Sequence, residues 1–144
     1  MTDLPIAIAS DHAGYALKCA LVEELERLGA GVLDLGAHGE QSVDYPDFGD
    51  AVGAAIGEGR AERAVIVCGT GIGISIAANR NRHVRAALCH DTTSARLARQ
   101  HNDANVLALG ARLVGSEVAM DCLRVFLETP FEGGRHQRRV DKLG

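Results

Sequence analysis

A cysteine stands where an apolar strand pattern runs into glycine. The stretch AVIVCGTGIGIS, residues 64–75, places Cys68 directly before Gly69-Thr70-Gly71-Ile72-Gly73. Glycine at alternate positions lets backbone approach a ligand closely. Successive N–H groups at the start of the helix expected over Ile72 to Asn79 then offer an anion site. Amides so placed favour a thiolate over a thiol. The pattern suits Cys68 as a base, with the loop amides as an oxyanion hole for the negative charge that proton removal creates. Two plainer readings stay open at this level. The loop can be a tight turn needing positive φ, and a free cysteine ending a buried strand is most often a small core residue.

The residue types at the far end of the loop narrow the choice of anion. A dinucleotide loop asks for G-x-G-x-x-G; Gly69 and Gly71 fit, but Ile74 occupies the third position. An acidic residue does stand about twenty positions on, as Asp91, so a non-catalytic nucleotide- or phosphosugar-binding module remains an alternative. A Walker loop is excluded, because the chain has no Gly-Lys-Ser or Gly-Lys-Thr here. A cysteine phosphatase needs an arginine where Ile74 stands, and that reading fails.

The remaining polar candidates sit at other expected strand and helix ends. Asp11 and His12 come after the first strand, Gly110-Ala111-Arg112 after the fifth, and His90-Asp91 after the fourth. His101 closes the helix expected over Thr92 to Gln100, where a histidine can also simply complement the helix dipole. His38 and His83 are expected to be solvated in surface loops, and His90 is left open. No H-E-x-x-H or similar pairing occurs, so no metal is expected. Cys19, Cys89 and Cys122 show no C-x-x-C and lack the loop context of Cys68. They are expected as reduced core thiols.

The elements that must position these groups alternate. Strands are expected at Ile6 to Ala9, Gly31 to Leu35, Ala64 to Cys68, Arg85 to Cys89 and Asn105 to Leu109. Leu17, Leu21, Leu25 and Leu28 mark one helical face, ended by Gly29, and Val118, Cys122, Val125 and Phe126 mark another. Strands apolar on both faces and separated by helices imply a parallel sheet covered on each side. The expected fold is a three-layer α/β/α sandwich with a five-stranded, Rossmann-like parallel sheet, one domain over residues 1–144. Ligands in such folds bind beyond the carboxyl ends of the strands. After Pro130 a basic tail, residues 131–144, carries Arg135 and Arg139 and is free to fold onto an anionic ligand.

Composition removes several function classes. A net charge of −4 with three Phe and two Tyr argues against a nucleic-acid partner. No apolar run is long enough to cross a membrane, and the sequence enters a strand soon after Pro5, so a soluble cytoplasmic protein is expected.

Five segments taken together, SDHAGYALK, SVDYPDFG, CGTGIGISIAANR, RAALCHDTTSARLARQHNDANVLALGAR and FEGGRHQRRVDKL, resemble the type B ribose-5-phosphate isomerases, grouped with the galactose- and allose-6-phosphate isomerases. The resemblance runs nearly end to end. It implies an aldose–ketose isomerase that interconverts D-ribose 5-phosphate and D-ribulose 5-phosphate through an enediolate, with no metal or organic cofactor. By that resemblance Cys68 is the base acting between C1 and C2, and Thr70 shuttles protons between O1 and O2. Gly69, Gly71 and Gly73 hold the enediolate. His101 opens the ring, Asp11 lies beside the sugar hydroxyls, and Tyr45 and Asn102 contact the sugar. His12, Arg112, Arg135 and Arg139 hold the phosphate. The resemblance also implies a homodimer with shared active sites, pairing of dimers into a tetramer being a further option, in which His101, Asn102 and Arg112 serve the neighbouring subunit. Some branches use a glutamate later in the loop as base; here that region reads Ile74-Ser75, which leaves the role with Cys68. The departures, such as Asn81-Arg82-His83, fall in an expected surface loop.

Overall fold

In a computed structural model, which describes residues 3–144, five parallel strands form one sheet in the order β2-β1-β3-β5-β4. The strands are β1 (Ile6–Ser10), β2 (Val32–Asp34), β3 (Arg63–Cys68), β4 (Ala86–Leu88) and β5 (Val106–Gly110). The helices are α1 (Tyr15–Arg27), α2 (Tyr45–Gly57), α3 (Ile72–Asn79), α4 (Thr92–Asn102), α5 (Ser116–Glu128) and α6 (Arg135–Asp141). Alternation within the strands divides the side chains between two cores. Ile6, Ile8, Val65, Val67, Leu107 and Leu109 pack against α1, α4 and α5. Ala7, Ala9, Ala64, Ile66, Cys68 and Ala108 face α2 and α3. The expected three-layer α/β architecture is the one observed. No helix among the described residues is long and apolar enough to cross a membrane.

Three features differ from the sequence expectation. The segment from Tyr45 to Gly57 is a helix, α2, packed on α3 beneath the alanine-lined face of the sheet. Helix α4 continues two residues beyond Gln100, so His101 lies within its last turn, which Asp103 ends in the left-handed region at φ 47°. The basic tail is an ordered helix, α6, with His136 and Val140 turned inward.

The buried arginine Arg99 holds the ends of these elements together. It donates to the carbonyls of Ala104 and Thr129 and to the Asp103 carboxylate at 2.6, 3.1 and 2.8 Å. Glu132 N–H then donates to Gln100 O at 3.1 Å and brings the chain to α6.

On the opposite flank, Glu24 of α1 accepts from Arg27 one turn away and from Arg124 of α5, the latter at 2.6 Å through Nη2. The two guanidinium groups hold its carboxyl down at about 2. A carboxylate with a lowered folded pKa stabilises the fold above its ordinary range, and that contribution disappears as pH falls from the ordinary value toward the lowered one. Glu24→Gln is therefore expected to lower the urea midpoint at pH 7, with the gap to the wild type closing between about pH 4.5 and pH 2. A gap independent of pH would refute the ion-pair origin.

Candidate active site

The sheet order makes β1 the strand from which the chain turns one way to β2 and the other way to β3, and this switch point is where a crevice opens at the carboxyl ends. Ser10 pairs with Val67, and Asp11 N–H donates to Val67 O at 3.2 Å, which brings the ends of β1 and β3 side by side. Asp11 is buried and caps the turn into α1, accepting from Gly14 N–H at 3.0 Å. A methyl group at Gly14 would lie 2.7 Å from Val67 O, so α1 starts in direct backbone contact with β3.

Cys68 ends β3 with only 4% of its surface exposed. Its Sγ accepts from Gly71 N–H at 3.1 Å. Gly71 is the N-cap of α3 at φ +78°, a conformation a side chain would strain, and a methyl group there would also meet Leu109 backbone at 2.9 Å. The sulfur therefore sits at the start of α3 against a backbone donor. Thr70 is exposed beside it, its hydroxyl oxygen accepting from Ile72 N–H at 3.2 Å.

Three more candidates join this cluster. The Tyr45 ring lies across Gly73, where a methyl group would come within 2.5 Å of it. The Arg112 guanidinium lies over Gly69, and its backbone N–H donates to Gly69 O at 2.9 Å. Arg112 thus stands over its own chain's loop, whereas the family resemblance places it with a neighbour's site. His12 Nδ1 accepts from Val43 N–H at 3.1 Å, so in the neutral ring the proton is on Nε2, which remains available as a donor. The segment supplying Val43 begins at an anchor: Lys18, 1% exposed, donates to Asp34 Oδ1 at 2.7 Å and Ala37 O at 2.6 Å.

His101, Asn102, Arg135 and Arg139 form a second cluster, lining one pocket with His136, Val140 and Leu143. It lies at the other end of the sheet. Helix α4 starts beyond the carboxyl end of β4 and runs back, and Asn105, three residues after its end, accepts from Ala64 N–H near the start of β3. Cys68 is four residues further along that strand, about 13 Å at ~3.3 Å per residue. Within one chain, the basic tail therefore lies away from that chain's own Cys68 loop.

Other candidates resolve as structural. Asp91 is the N-cap of α4, accepting from Ser94 N–H at 2.7 Å, which accounts for the acid that keeps a nucleotide reading open in the sequence. Burial pushes the Cys122 thiol up to about 11 and the Cys89 thiol upward as well, as fits core residues. His83, expected to be merely solvated, is within 2.7 Å of Gly53 O. His136, to which the sequence alone assigns no role, is 6% exposed. Its ring stacks on His101 with centroids 4.4 Å apart, and Glu132 lies 3.6 Å from its Nε2. Its spacing of four from buried Val140 is the signal that the tail has an inward helical face.

Residues 6–143 match the ribose/galactose isomerase family. A solved ribose-5-phosphate isomerase B from Clostridium thermocellum superposes with a TM-score of 0.96 at 50% identity, covering 98% of this chain and 95% of that one. Ribose-5-phosphate isomerase B of Escherichia coli is 44% identical over 138 residues, 96% of this chain and 93% of the relative. The D-erythrulose-4-phosphate isomerase of Pectobacterium atrosepticum is 42% identical over 143 residues, 98% of this chain and 93% of the relative. With both the fold and nearly the whole length of the sequence matched, the chain belongs to the ribose/galactose isomerase family and is an isomerase.

Proposed function

We propose that the protein interconverts D-ribose 5-phosphate and D-ribulose 5-phosphate through an enediolate. The observation that carries the reading is Cys68, held at the start of α3 with its sulfur against Gly71 N–H and with Asp11 at the adjoining strand end. Cys68 thiolate removes the proton from C2 of the open-chain aldose and returns it to C1. The negative charge passes to the substrate oxygens, where amides of the 69–73 loop stabilise it without reorganising; such preorganised donors are usually the largest catalytic term. Thr70 moves the hydroxyl proton between O1 and O2. Hydrogen leaves one carbon and enters its neighbour, so the reaction balances within the substrate.

The phosphate supplies binding energy that orients the reacting carbons. His12 donates through Nε2 and Arg112 stands over the loop, whereas Arg135 and Arg139 lie on α6 at the far end of the sheet. A second copy of the chain resolves this separation: its His101, Asn102 and α6 arginines face the first copy's Cys68 loop. The proposed active unit is a homodimer with two shared sites. Across that junction Asp11, Tyr45 and Asn102 contact the sugar hydroxyls, and His101 opens the furanose ring before proton transfer begins.

A coupled assay over ribose 5-phosphate, allose 6-phosphate, galactose 6-phosphate and erythrose 4-phosphate tests the substrate. The highest kcat/KM is expected for ribose 5-phosphate. A higher value for the tetrose would favour the second reading, a four-carbon substrate, which the similarity to the Pectobacterium enzyme supports.

A further inference from the structure

His136 has no part in the proton transfer or the phosphate binding proposed for the site, yet it is the most buried polar side chain of α6. Its ring is nearly parallel to that of His101, at 15°, with centroids 4.4 Å apart. Glu132 Oε1 lies 3.6 Å from His136 Nε2 on the side supplied by the 129–134 linker. Glu132 is tied to α4 in turn, since its N–H donates to Gln100 O, the residue before His101. An imidazole in the last turn of a helix has two free torsions, and nothing else among the described hydrogen bonds holds the His101 side chain.

We propose that His136 is the positioning residue of the ring-opening step: its stacked imidazole, backed by Glu132, fixes the plane of His101 so that a ring nitrogen meets the furanose oxygen. The charged groups facing the pair are Glu132, Arg135 and Arg139 on the linker and α6. Burial, with the neighbouring His101, Arg135 and Arg139, holds the His136 imidazole below its ordinary range. The inference rests on the proposed isomerase function.

Hydrogen exchange into the open-chain ketose separates proton transfer from ring opening. Ribose 5-phosphate is largely a closed furanose, whereas ribulose 5-phosphate is open-chain because its C5 oxygen is esterified. His136→Ala is expected to reduce kcat/KM at least tenfold in both directions, as the fixed equilibrium constant requires, while the enzyme's exchange of the C1 hydrogen of ribulose 5-phosphate with solvent deuterium, followed by NMR, changes less than threefold. Inhibition by inorganic phosphate should stay within twofold of wild type, because Arg135 and Arg139 remain. His136→Phe, which retains a stacking ring, should recover most of the lost rate. Light scattering confirms that each variant keeps the wild-type oligomeric state.

Loss of the exchange in step with turnover, together with weakened phosphate inhibition, would mean that His136 only docks α6, and would overturn the proposal. Unaltered kinetics in His136→Ala beside an active wild type would overturn it as well. A wild type inert on both pentose phosphates would instead refute the isomerase function on which it rests.

Discussion

Cys68→Ser is expected to lose isomerase activity by about 10²- to 10⁴-fold, the range a positioned base contributes, while circular dichroism and the melting temperature change little. The hydroxyl keeps the shape of the side chain and an acceptor for Gly71 N–H, so the loop has no reason to collapse. A hydroxyl is a far weaker acid than a thiol, so serine does not supply the anion that takes a proton from carbon. The control is Cys122→Ser, whose sulfur lies in the core between the sheet, α1 and α5. There a buried hydroxyl without a partner costs about 1–3 kcal/mol of stability and leaves kcat unchanged. Near-full activity in Cys68→Ser with the fold intact would remove Cys68 from the mechanism.

The second large effect is a recovery. Cys68→Ala and His101→Ala should each be poorly active alone. If one site takes its thiol from one subunit and its histidine from the other, a mixed dimer holds one doubly damaged site and one intact site. Random reassortment of an equimolar mixture in a two-fold dimer then restores about a quarter of the wild-type sites. Denaturing and refolding the two variants together, against each refolded separately, reads this directly. No gain on mixing would mean that Cys68 and His101 do not belong to one shared site.

Much of this molecule can be read from residue order alone. The five strand runs and the 72–79 helix announce themselves because apolar residues crowd the strands and glycines break between them. Helix α2 does not, for a physical reason. Its first turn holds a proline, and Gly49 and Gly53, both buried, weaken helix propensity within it. The reversed order of β5 and β4 also leaves no local trace, because register is settled by packing between elements distant in the chain.

The candidate site is legible as residue types and not as an arrangement. Asp11, His12, Tyr45, Thr70 and Arg112 gather with Cys68 at one end of the sheet. His101 and the arginines of α6 are recognisable too, but that a returning helix carries them to the opposite end emerges only once strand and helix directions are combined. His136 is harder still. Its partner is thirty-five positions away in sequence, and only the docking of α6 on α4 reveals the pair.

Gly14 acts as a mechanical stop in this arrangement. Because the start of α1 rests on the carbonyl of Val67, with the Val67 Cγ1 methyl alongside, the gap between the Asp11 turn and the end of β3 is set by direct contact with that one residue. The carboxylate and the thiol are thereby mounted on a common rigid seat. Any residue larger than glycine would act as a shim, prying the Asp11 turn away from the strand that carries Cys68 while leaving both reactive side chains chemically unchanged.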